Sequence, residues 1–317
     1  MNGYVAPGWL PGAHAQTILP SLWPWPRLSY TAERWSTPDG RDFIDVHWAG
    51  PENADRLLVL FHGLEGNSSG AYARRIGTEA VGRGWRFAVP HFRGCSGEIN
   101  RALTDYHAGA SNEIDWILQE FARRQGGAVY AAGVSIGGNA LLVWLGRQGA
   151  AARDVVRGAV AVSAPIDLAM TGAALGRGFS RIYGKYFLCD NLRWKGLRKL
   201  EPDMYPGAYD GRRVRAAELL SDFEDAVTAP VNGFLDVRDY WTRTSAAQFL
   251  GTVEVHTLLI NARNDPFLPD HVLRAAERRR DPASSVKFDF QNEGGHAGFA
   301  DGNGWLGKRV ADFLDPL

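Results

Sequence analysis

The first half of the chain alternates short apolar runs with longer stretches in which apolar residues recur at helical spacing. Continuous apolar runs, typical of strands covered on both faces of a sheet, occupy residues 57–61, 86–90, 128–134 and 158–162. Amphipathic stretches at 71–82 and 110–124 favour helices, and the second places Ile114, Ile117, Leu118 and Phe121 on one face. This alternation predicts a mostly parallel sheet with helices on both sides.

The pattern changes at the start and in the middle of the chain. Residues 1–26, rich in Pro, Trp and Gly, predict an ordered coil, and 29–35 with 43–48 predict a hairpin. Residues 166–250 contain helical patterns and many aromatic residues but no comparable buried strand. Sheet patterns resume at 253–260 and 286–290, and a final helix is expected at 304–314. We therefore expect one domain over residues 1–317, with residues 166–250 as a helical cap inserted over the strand ends.

The composition of the chain bears on which partners and which cellular compartment are expected. Apolar residues make up 45% and charged residues 22% of the 317 residues, as in an ordinary globular protein, and the formal net charge is zero. This balance gives no electrostatic argument for binding nucleic acid. The chain has no secretory signal pattern and no run near the roughly 18 apolar residues of a transmembrane segment. The two cysteines, Cys95 and Cys189, suit a reducing compartment, although a single bridge stays open. A soluble cytoplasmic protein is the expectation.

A candidate nucleophile lies in Gly133-Val134-Ser135-Ile136-Gly137. The motif follows a predicted buried strand and precedes an apolar stretch compatible with a helix. Glycines on both sides leave room for a sharp strand-to-helix turn, on which the serine hydroxyl is exposed in a strained backbone conformation. The strand–turn–helix setting favours a nucleophilic serine over a chance match.

Two further residues complete a possible catalytic set. Asp265 follows the predicted strand that ends at Ile260, and His296 lies in a glycine-rich loop after the next strand. A serine needs a base to take its proton, and a carboxylate orients that base. Singly, Asp265 is an ordinary turn residue and His296 an ordinary loop residue. Together, in the order Ser, Asp, His and each beyond a strand, they favour catalysis.

The remaining polar groups fit this hypothesis. The backbone N–H groups of Leu64 and Ile136 are predicted to form the oxyanion hole, since each follows a strand at the same edge of the sheet. His62 is assigned a structural role beneath the first of these loops, and Cys95 is expected to be a packed residue. His91 and His107 lack partners at metal-ligand spacing, and no dinucleotide or phosphate-binding motif is present. We expect no metal and no cofactor.

The chain resembles the YheT-like branch of the α/β hydrolases, which is related to mammalian abhydrolase-domain lipases and plant embryogenesis-associated proteins. The resemblance covers nearly the whole chain. Its most specific segments are His14-Ala15-Gln16-Thr17 and Asp239-Tyr240, alongside His62-Gly63-Leu64-Glu65-Gly66 and Gly294-Gly295-His296-Ala297-Gly298. The resemblance implies an α/β-hydrolase fold, carboxylic-ester hydrolysis and Ser135, Asp265 and His296 as the matching triad. Trp241 stands where the family commonly has Tyr, a difference that could alter the acyl pocket.

The sequence is therefore interpreted as a serine carboxylic-ester hydrolase that forms an acyl-enzyme on short- to medium-chain or lipid-like esters. An acyltransferase with the same triad is an alternative, because the choice between water and another acceptor depends on pocket shape. A non-catalytic ligand-binding protein on a hydrolase scaffold is a second alternative, since fold does not fix function. Dehalogenase and epoxide hydrolase chemistry is disfavoured, because the nucleophile there is Asp. The oligomeric state is not assigned.

Overall fold

The computed structural model describes residues 3–279, 281 and 284–317. Its eight strands are β1 Thr31–Ser36, β2 Phe43–Ala49, β3 Arg56–Phe61, β4 Arg86–His91, β5 Ala128–Val134, β6 Gly158–Val162, β7 Thr257–Ala262 and β8 Val286–Gln291. The helices outside the β6–β7 segment are α1 Gly12–Leu22, α2 Ala71–Gly82, α3 Ser111–Arg124, α4 Ile136–Gln148, α12 Asp270–Arg279 and α13 Trp305–Leu314. The helices between β6 and β7 are α5 Leu168–Leu175, α6 Arg181–Phe187, α7 Arg193–Arg198, α8 Gly211–Ala216, α9 Leu220–Phe223, α10 Ala229–Val231 and α11 Val237–Thr244.

All eight strands form one sheet in the order β1-β2-β4-β3-β5-β6-β7-β8. The pairings of β2 with β1 and with β4 are antiparallel, and all other pairings are parallel. The predicted hairpin, the mostly parallel sheet and the α/β-hydrolase fold class are confirmed. The carboxyl ends of β3, β5 and β7 therefore lie at one edge of the sheet, where the predicted site residues follow them.

The apolar strands are buried because helices cover both faces of the sheet. In β3, Leu57, Val59 and Phe61 join a core with α3 and α4, whereas Leu58 and Leu60 join a core with α2 and α13. Alternate side chains of a strand point to opposite faces, so a run with no polar position is the expected sequence for this central strand. This rigid centre holds the loops at the strand ends.

Residues between β6 and β7 fold into short helices at the carboxyl ends of the strands. Their cores take in residues from the loops after β3 and β7: Leu64 packs against one, and Phe267 belongs to another. Two π-helical turns, Leu188–Leu192 and Glu224–Thr228, interrupt the helices of this segment. Across the described residues, none of the helices combines the length and apolarity that crossing a bilayer would require.

The structure corrects two expectations. Residues 1–26 were expected to be coil, but Gly12–Leu22 is a helix with Pro20 inside it. Pro20 removes only one late backbone hydrogen bond, and the contacts of Gln16 and Ile18 with the rest of the protein stabilise the helix despite its composition. The strand expected at 253–260 begins only at Thr257, since residues 250–252 form a turn of 3-10 helix and residues 253–256 are a connecting loop outside the sheet.

Candidate active site

Ser135 occupies a strained turn between β5 and α4. Its φ is 55° and its ψ is −125°, values that a residue with a side chain rarely adopts. A Cβ atom at Gly133 would lie 2.5 Å from Gly137 O, and one at Gly137 would lie 2.4 Å from His62 O. The two glycines of the motif are therefore required by close backbone contacts, and the turn they permit presents the serine at the strand end.

The structure brings Ser135, His296 and Asp265 together in one line of hydrogen bonds. His296 Nε2 lies 2.9 Å from Ser135 Oγ, and His296 Nδ1 lies 2.9 Å from Asp265 Oδ2. The Asp265 side chain is fully buried and that of His296 is 10% exposed. Asp265 Oδ1 also accepts a hydrogen bond of 2.8 Å from Phe267 N–H. The predicted spatial convergence is found, whereas the catalytic role of the three residues stays a prediction.

This geometry fixes the tautomer that the imidazole needs. Nδ1 faces a carboxylate that can only accept, so in the neutral ring Nδ1 carries the proton and Nε2 is free to accept from Ser135. The ring of Phe267 stacks on the His296 ring with centroids 3.9 Å apart. The arrangement can transfer a proton from the serine hydroxyl while Asp265 stabilises the resulting imidazolium.

Helix α1 holds the backbone of the loop that carries His296. Thr17 Oγ1 accepts a hydrogen bond of 2.9 Å from His296 N–H, and Gln16 Oε1 accepts one of 2.8 Å from Gly294 N–H. Asn264 links the two sides: its Oδ1 accepts from Gly295 N–H, and its Nδ2 donates to Gln16 Oε1. The His14–Thr17 segment, singled out by the family resemblance, therefore positions the imidazole-bearing loop.

Two residues that sequence reasoning missed hold the same loop from the other side. Ser163 Oγ accepts a hydrogen bond of 2.9 Å from Ala297 N–H. The Arg75 guanidinium, from α2, donates to Ala297 O and Gly298 O, and burial lowers the pKa of Arg75 to about 10. Neither residue lies in a motif that marks this contact, since Arg75 is one of several arginines on a helix. The only available signal was the position of Ser163 directly after strand β6.

The two predicted oxyanion donors border the same cavity as Ser135. Leu64, Ser135 and Ile136 line it together. Within the described part of the chain, no acceptor is recorded for Leu64 N–H or Ile136 N–H, and Ile136 is the first residue of α4. Helix N-termini leave such N–H groups unpaired and favour negative charge. Their use by an oxyanion stays a prediction.

The cavity beside Ser135 has a volume of about 60 Å³ and apolar walls. Its lining includes Leu168, Leu175, Phe187, Leu220, Trp241 and Phe267. Trp241 therefore lies in the cavity, at the place where the family difference was expected to matter. A second cavity of about 50 Å³ adjoins it and shares Leu64, Ile136, Leu220 and Glu224 with it.

Glu224 is the carboxyl group that the two cavities share. It begins a π-helical turn, and Trp241 Nε1 donates a hydrogen bond of 3.0 Å to its Oε2. Desolvation by burial raises the pKa of Glu224 to about 7, and the hydrogen bond from Trp241 opposes this shift only in part. The apolar surroundings therefore favour the neutral form of this carboxyl group more than water would.

A buried ion pair ties α7 to the loop after β3. Lys195 Nζ lies 2.6 Å from Glu65 Oε2, with the two side chains only 3% and 6% exposed. Glu65 follows Leu64 directly, has a φ of 52°, and donates its N–H to Tyr106 Oη at 2.7 Å. The conformation of the Leu64 loop therefore depends on a residue of the segment between β6 and β7.

The other histidines and cysteines stand apart from this hydrogen-bond line. His62 is buried, with Nδ1 bonded to Gly63 O and Nε2 accepting from Phe92 N–H, and burial lowers its pKa to about 4. This is the structural role expected of it. Cys95 is buried and Cys189 exposed, and both are free thiols, so the possibility of a bridge is not realised. Among the described residues, no group of three or more metal-ligating side chains is placed to hold an ion.

Comparison with known proteins places this chain in a family. Residues 56–302 match the family model of the alpha/beta hydrolase fold. A candidate esterase of Escherichia coli K12, YheT, is 36% identical over 315 residues, covering 95% of this chain and 89% of the relative. The mouse phospholipase ABHD3 is 26% identical, covering 97% of this chain and 75% of the relative. The solved structure of the Pyrococcus furiosus esterase Pf2001 superposes with a TM-score of 0.59 at 14% identity, covering 91% of this chain and 93% of that one.

Proposed function

Because the chain belongs to the alpha/beta hydrolase fold family, in the branch that includes YheT, we propose that it hydrolyses carboxylic esters with Ser135 as nucleophile. Relatives in this family carry esterase and phospholipase names. The observation that supports the proposal most directly is the line of hydrogen bonds from Ser135 Oγ through His296 to Asp265, each about 2.9 Å long.

The reaction proceeds through an acyl-enzyme. His296 Nε2 takes the proton of Ser135 Oγ as the oxygen attacks the ester carbonyl, and the N–H groups of Leu64 and Ile136 stabilise the negative oxygen. Collapse of the tetrahedral intermediate releases the alcohol, which receives the proton from His296. Water, deprotonated by the same imidazole, then attacks the acyl-enzyme. The bond between the acyl carbon and Ser135 Oγ breaks, the acid is released, and His296 returns the proton to Ser135 Oγ. Asp265 keeps the imidazole oriented in both halves of the cycle.

The substrate class follows from the apolar cavity at Ser135. We propose that residues 166–250 are a cap insertion of the single domain and that Leu168, Leu175 and Phe267 line the acyl pocket. An apolar wall gains free energy with each methylene group it removes from water. Short- to medium-chain esters should therefore react faster as the acyl chain lengthens from acetate.

The proposal is tested by replacing the nucleophile. Ser135→Ala should lower hydrolysis of p-nitrophenyl butyrate by at least about a thousandfold, with an unchanged circular dichroism spectrum. A fluorophosphonate probe should label the wild-type protein at Ser135. The matched control is Ser29→Ala, at an exposed serine with no recorded side-chain contact, which should keep full activity. Hydrolysis retained by Ser135→Ala would refute the assignment.

Product analysis separates hydrolysis from acyl transfer. The wild-type protein is incubated with the same ester and a competing primary alcohol, and the free acid and the new ester are quantified. We expect the acid to dominate. A new ester as the main product at low alcohol concentration would favour an acyltransferase.

A further inference from the structure

Six large apolar side chains that lie open to solvent form an unusual surface next to the candidate site. Two adjacent segments supply them, the one around α1 and the one around α6. We call this surface the aromatic patch; it consists of Trp9, Leu22, Trp23, Phe179, Ile182 and Tyr186, each at least 50% exposed. Single exposed apolar residues are ordinary, but a contiguous group of this kind marks an interaction surface.

Direct contacts join the two halves of the patch. The His14 ring of α1 lies 4.4 Å from the ring of Phe179, and His14 Nδ1 is 3.0 Å from the hydroxyl of Tyr183 on α6. At the other end, Trp9 and Trp23 stack with centroids 5.3 Å apart. The aromatic patch is therefore built from two segments in direct contact, the start of the chain and the segment between β6 and β7.

The two segments that carry the aromatic patch contain basic residues but no acidic ones. Residues 3–32 and 168–189 contain no Asp or Glu, although the whole chain has 35 acidic and 35 basic residues. The same stretches carry the exposed cations Arg27, Arg177, Arg181 and Lys185. No ion pair is recorded for any of the four among the residues that the structure describes. This face therefore suits a partner whose surface carries negative charge above an apolar layer.

Two aromatic side chains connect the segment around α6 to the candidate site. Tyr183 packs against Phe267 with ring centroids 4.9 Å apart, and Phe267 stacks on His296. The segment that carries Phe179, Ile182 and Tyr186 is therefore in contact with His296 through Tyr183 and Phe267.

We propose that the aromatic patch docks the protein onto the surface of an anionic phospholipid bilayer. Aromatic side chains favour the headgroup region of a membrane, and basic residues are attracted to anionic lipids over a distance set by salt screening. The tryptophans and Tyr186 enter the headgroup layer, and the four cations lie against the lipid phosphates. The docking rests on the patch and the charges, independently of the proposed hydrolysis.

The test uses the Ser135→Ala protein, so that binding is measured without turnover. Sedimentation with phosphatidylcholine vesicles, and with vesicles of phosphatidylcholine and phosphatidylglycerol in equal parts, gives the bound fraction at low and high salt. We expect binding to the anionic vesicles only, weakened by salt. Adding Trp9→Ala, Trp23→Ala and Tyr186→Ala together, or Arg181→Glu with Lys185→Glu, should reduce the partition coefficient at least about fivefold.

Two controls show whether the patch residues themselves are responsible for vesicle binding. Leu235→Ala changes a side chain that is 92% exposed but outside the patch, and it should bind like the parent protein. With Ser135 restored, the patch variants should hydrolyse a soluble ester at the wild-type rate, which shows that they fold. Absence of binding to the anionic vesicles, or equal binding by the patch variants, would overturn the proposal. A dimer in sedimentation equilibrium that the same substitutions abolish would instead assign the patch to self-association.

Discussion

At the scale of single residues, His296 depends on neighbours that are far away in sequence. Its side chain is oriented by Asp265, but the N–H groups of its loop are bound by Gln16, Thr17 and Asn264. The loop needs this support because Ala297 and Phe299, which carry side chains, both have positive φ values. Strained backbone persists only where surrounding contacts hold it.

Thr17 offers a direct test of this support. Thr17→Val keeps the side-chain volume but removes the acceptor of His296 N–H, so the imidazole should be less well placed for the transition state. Misplacement of about 1 Å can cost up to about a hundredfold in rate, and we expect kcat to fall by about tenfold or more with little change in KM. Thr17→Ser keeps the hydroxyl and should retain most activity. Equal kcat values for the Val and Ser variants would contradict the role.

The sequence allowed the reacting residues to be predicted, but not their supports. Ser135 lies in a motif whose glycines are set by local geometry, and Asp265 and His296 follow strands that the apolar pattern identifies. Arg75 and Ser163 act through contacts more than 130 residues away in sequence. Such contacts are consequences of tertiary packing, which no local pattern records.

At the scale of elements, the buried Lys195–Glu65 pair joins α7 to the loop that follows β3. Removing water from two charges is costly, and further hydrogen bonds to the carboxylate help to offset this cost: Asn191 Nδ2 and the Tyr106 hydroxyl both donate to Glu65. The loop with Leu64 N–H is thus held by a residue on the far side of the cavities. We expect the helices between β6 and β7 to influence the oxyanion position as well as the acyl pocket.

Breaking this pair should reduce both stability and activity. Lys195→Met leaves the Glu65 carboxylate buried without its cation, which typically costs about 3–5 kcal/mol in the free energy of unfolding. Urea unfolding and kcat for a soluble ester measure the two effects. Adding Glu65→Met should recover part of the stability, because two apolar groups replace the charges. Lys185→Met, at an exposed lysine earlier in the same helical run, is the control; a Lys195→Met protein as stable as this control would disprove the argument.

The elements differed in how far they could be predicted. Strands β3, β5 and β6 and helix α2 have apolar residues at the spacing expected of a strand or of a helix. The bounds predicted for these elements were therefore close to the observed ones. Helix α1 was missed because Pro11 precedes it and Pro20 lies inside it, and its stability comes from docking rather than from its own propensity. Strand β7 begins later than expected. Val253 and Val255 are buried although they lie outside the sheet, and an apolar pattern does not distinguish a buried loop from a buried strand.

At the scale of the whole molecule, buried titratable groups set how stability depends on pH. Burial lowers the pKa of His62 to about 4 and that of His91 to about 3, and raises the pKa of Glu224 to about 7 and of Asp105 to about 6. Buried His62 and His91 remain neutral in the fold, so their contribution to stability is present above the pKa of an unfolded histidine. It is lost as pH falls, because the unfolded chain then binds protons that the folded protein does not. The two carboxyls act in the opposite direction, because their contribution is lost as pH rises through the folded values.

The substitution Glu224→Gln isolates the contribution of Glu224 to the pH dependence of stability. The carboxyl stabilises the fold fully only below about pH 4.5, its ordinary value, and this contribution disappears as pH rises through about 7. Relative to the wild type, the variant should gain about 1–3 kcal/mol between pH 5 and pH 8. Urea denaturation at both pH values measures the difference. Glu218→Gln, at an exposed glutamate of the same segment, should show no such change, and a pH-independent difference for Glu224→Gln would contradict the burial argument.

The position of α1 bears on how this polypeptide should be trimmed for expression or grafted into other proteins. The match to the family model starts at residue 56, so a fragment cut there would retain Ser135, Asp265 and His296. It would nevertheless lack Gln16 and Thr17, which bind the N–H groups of Gly294 and His296. Such a fragment would contain every reacting atom, yet it would leave the imidazole on an unsupported loop.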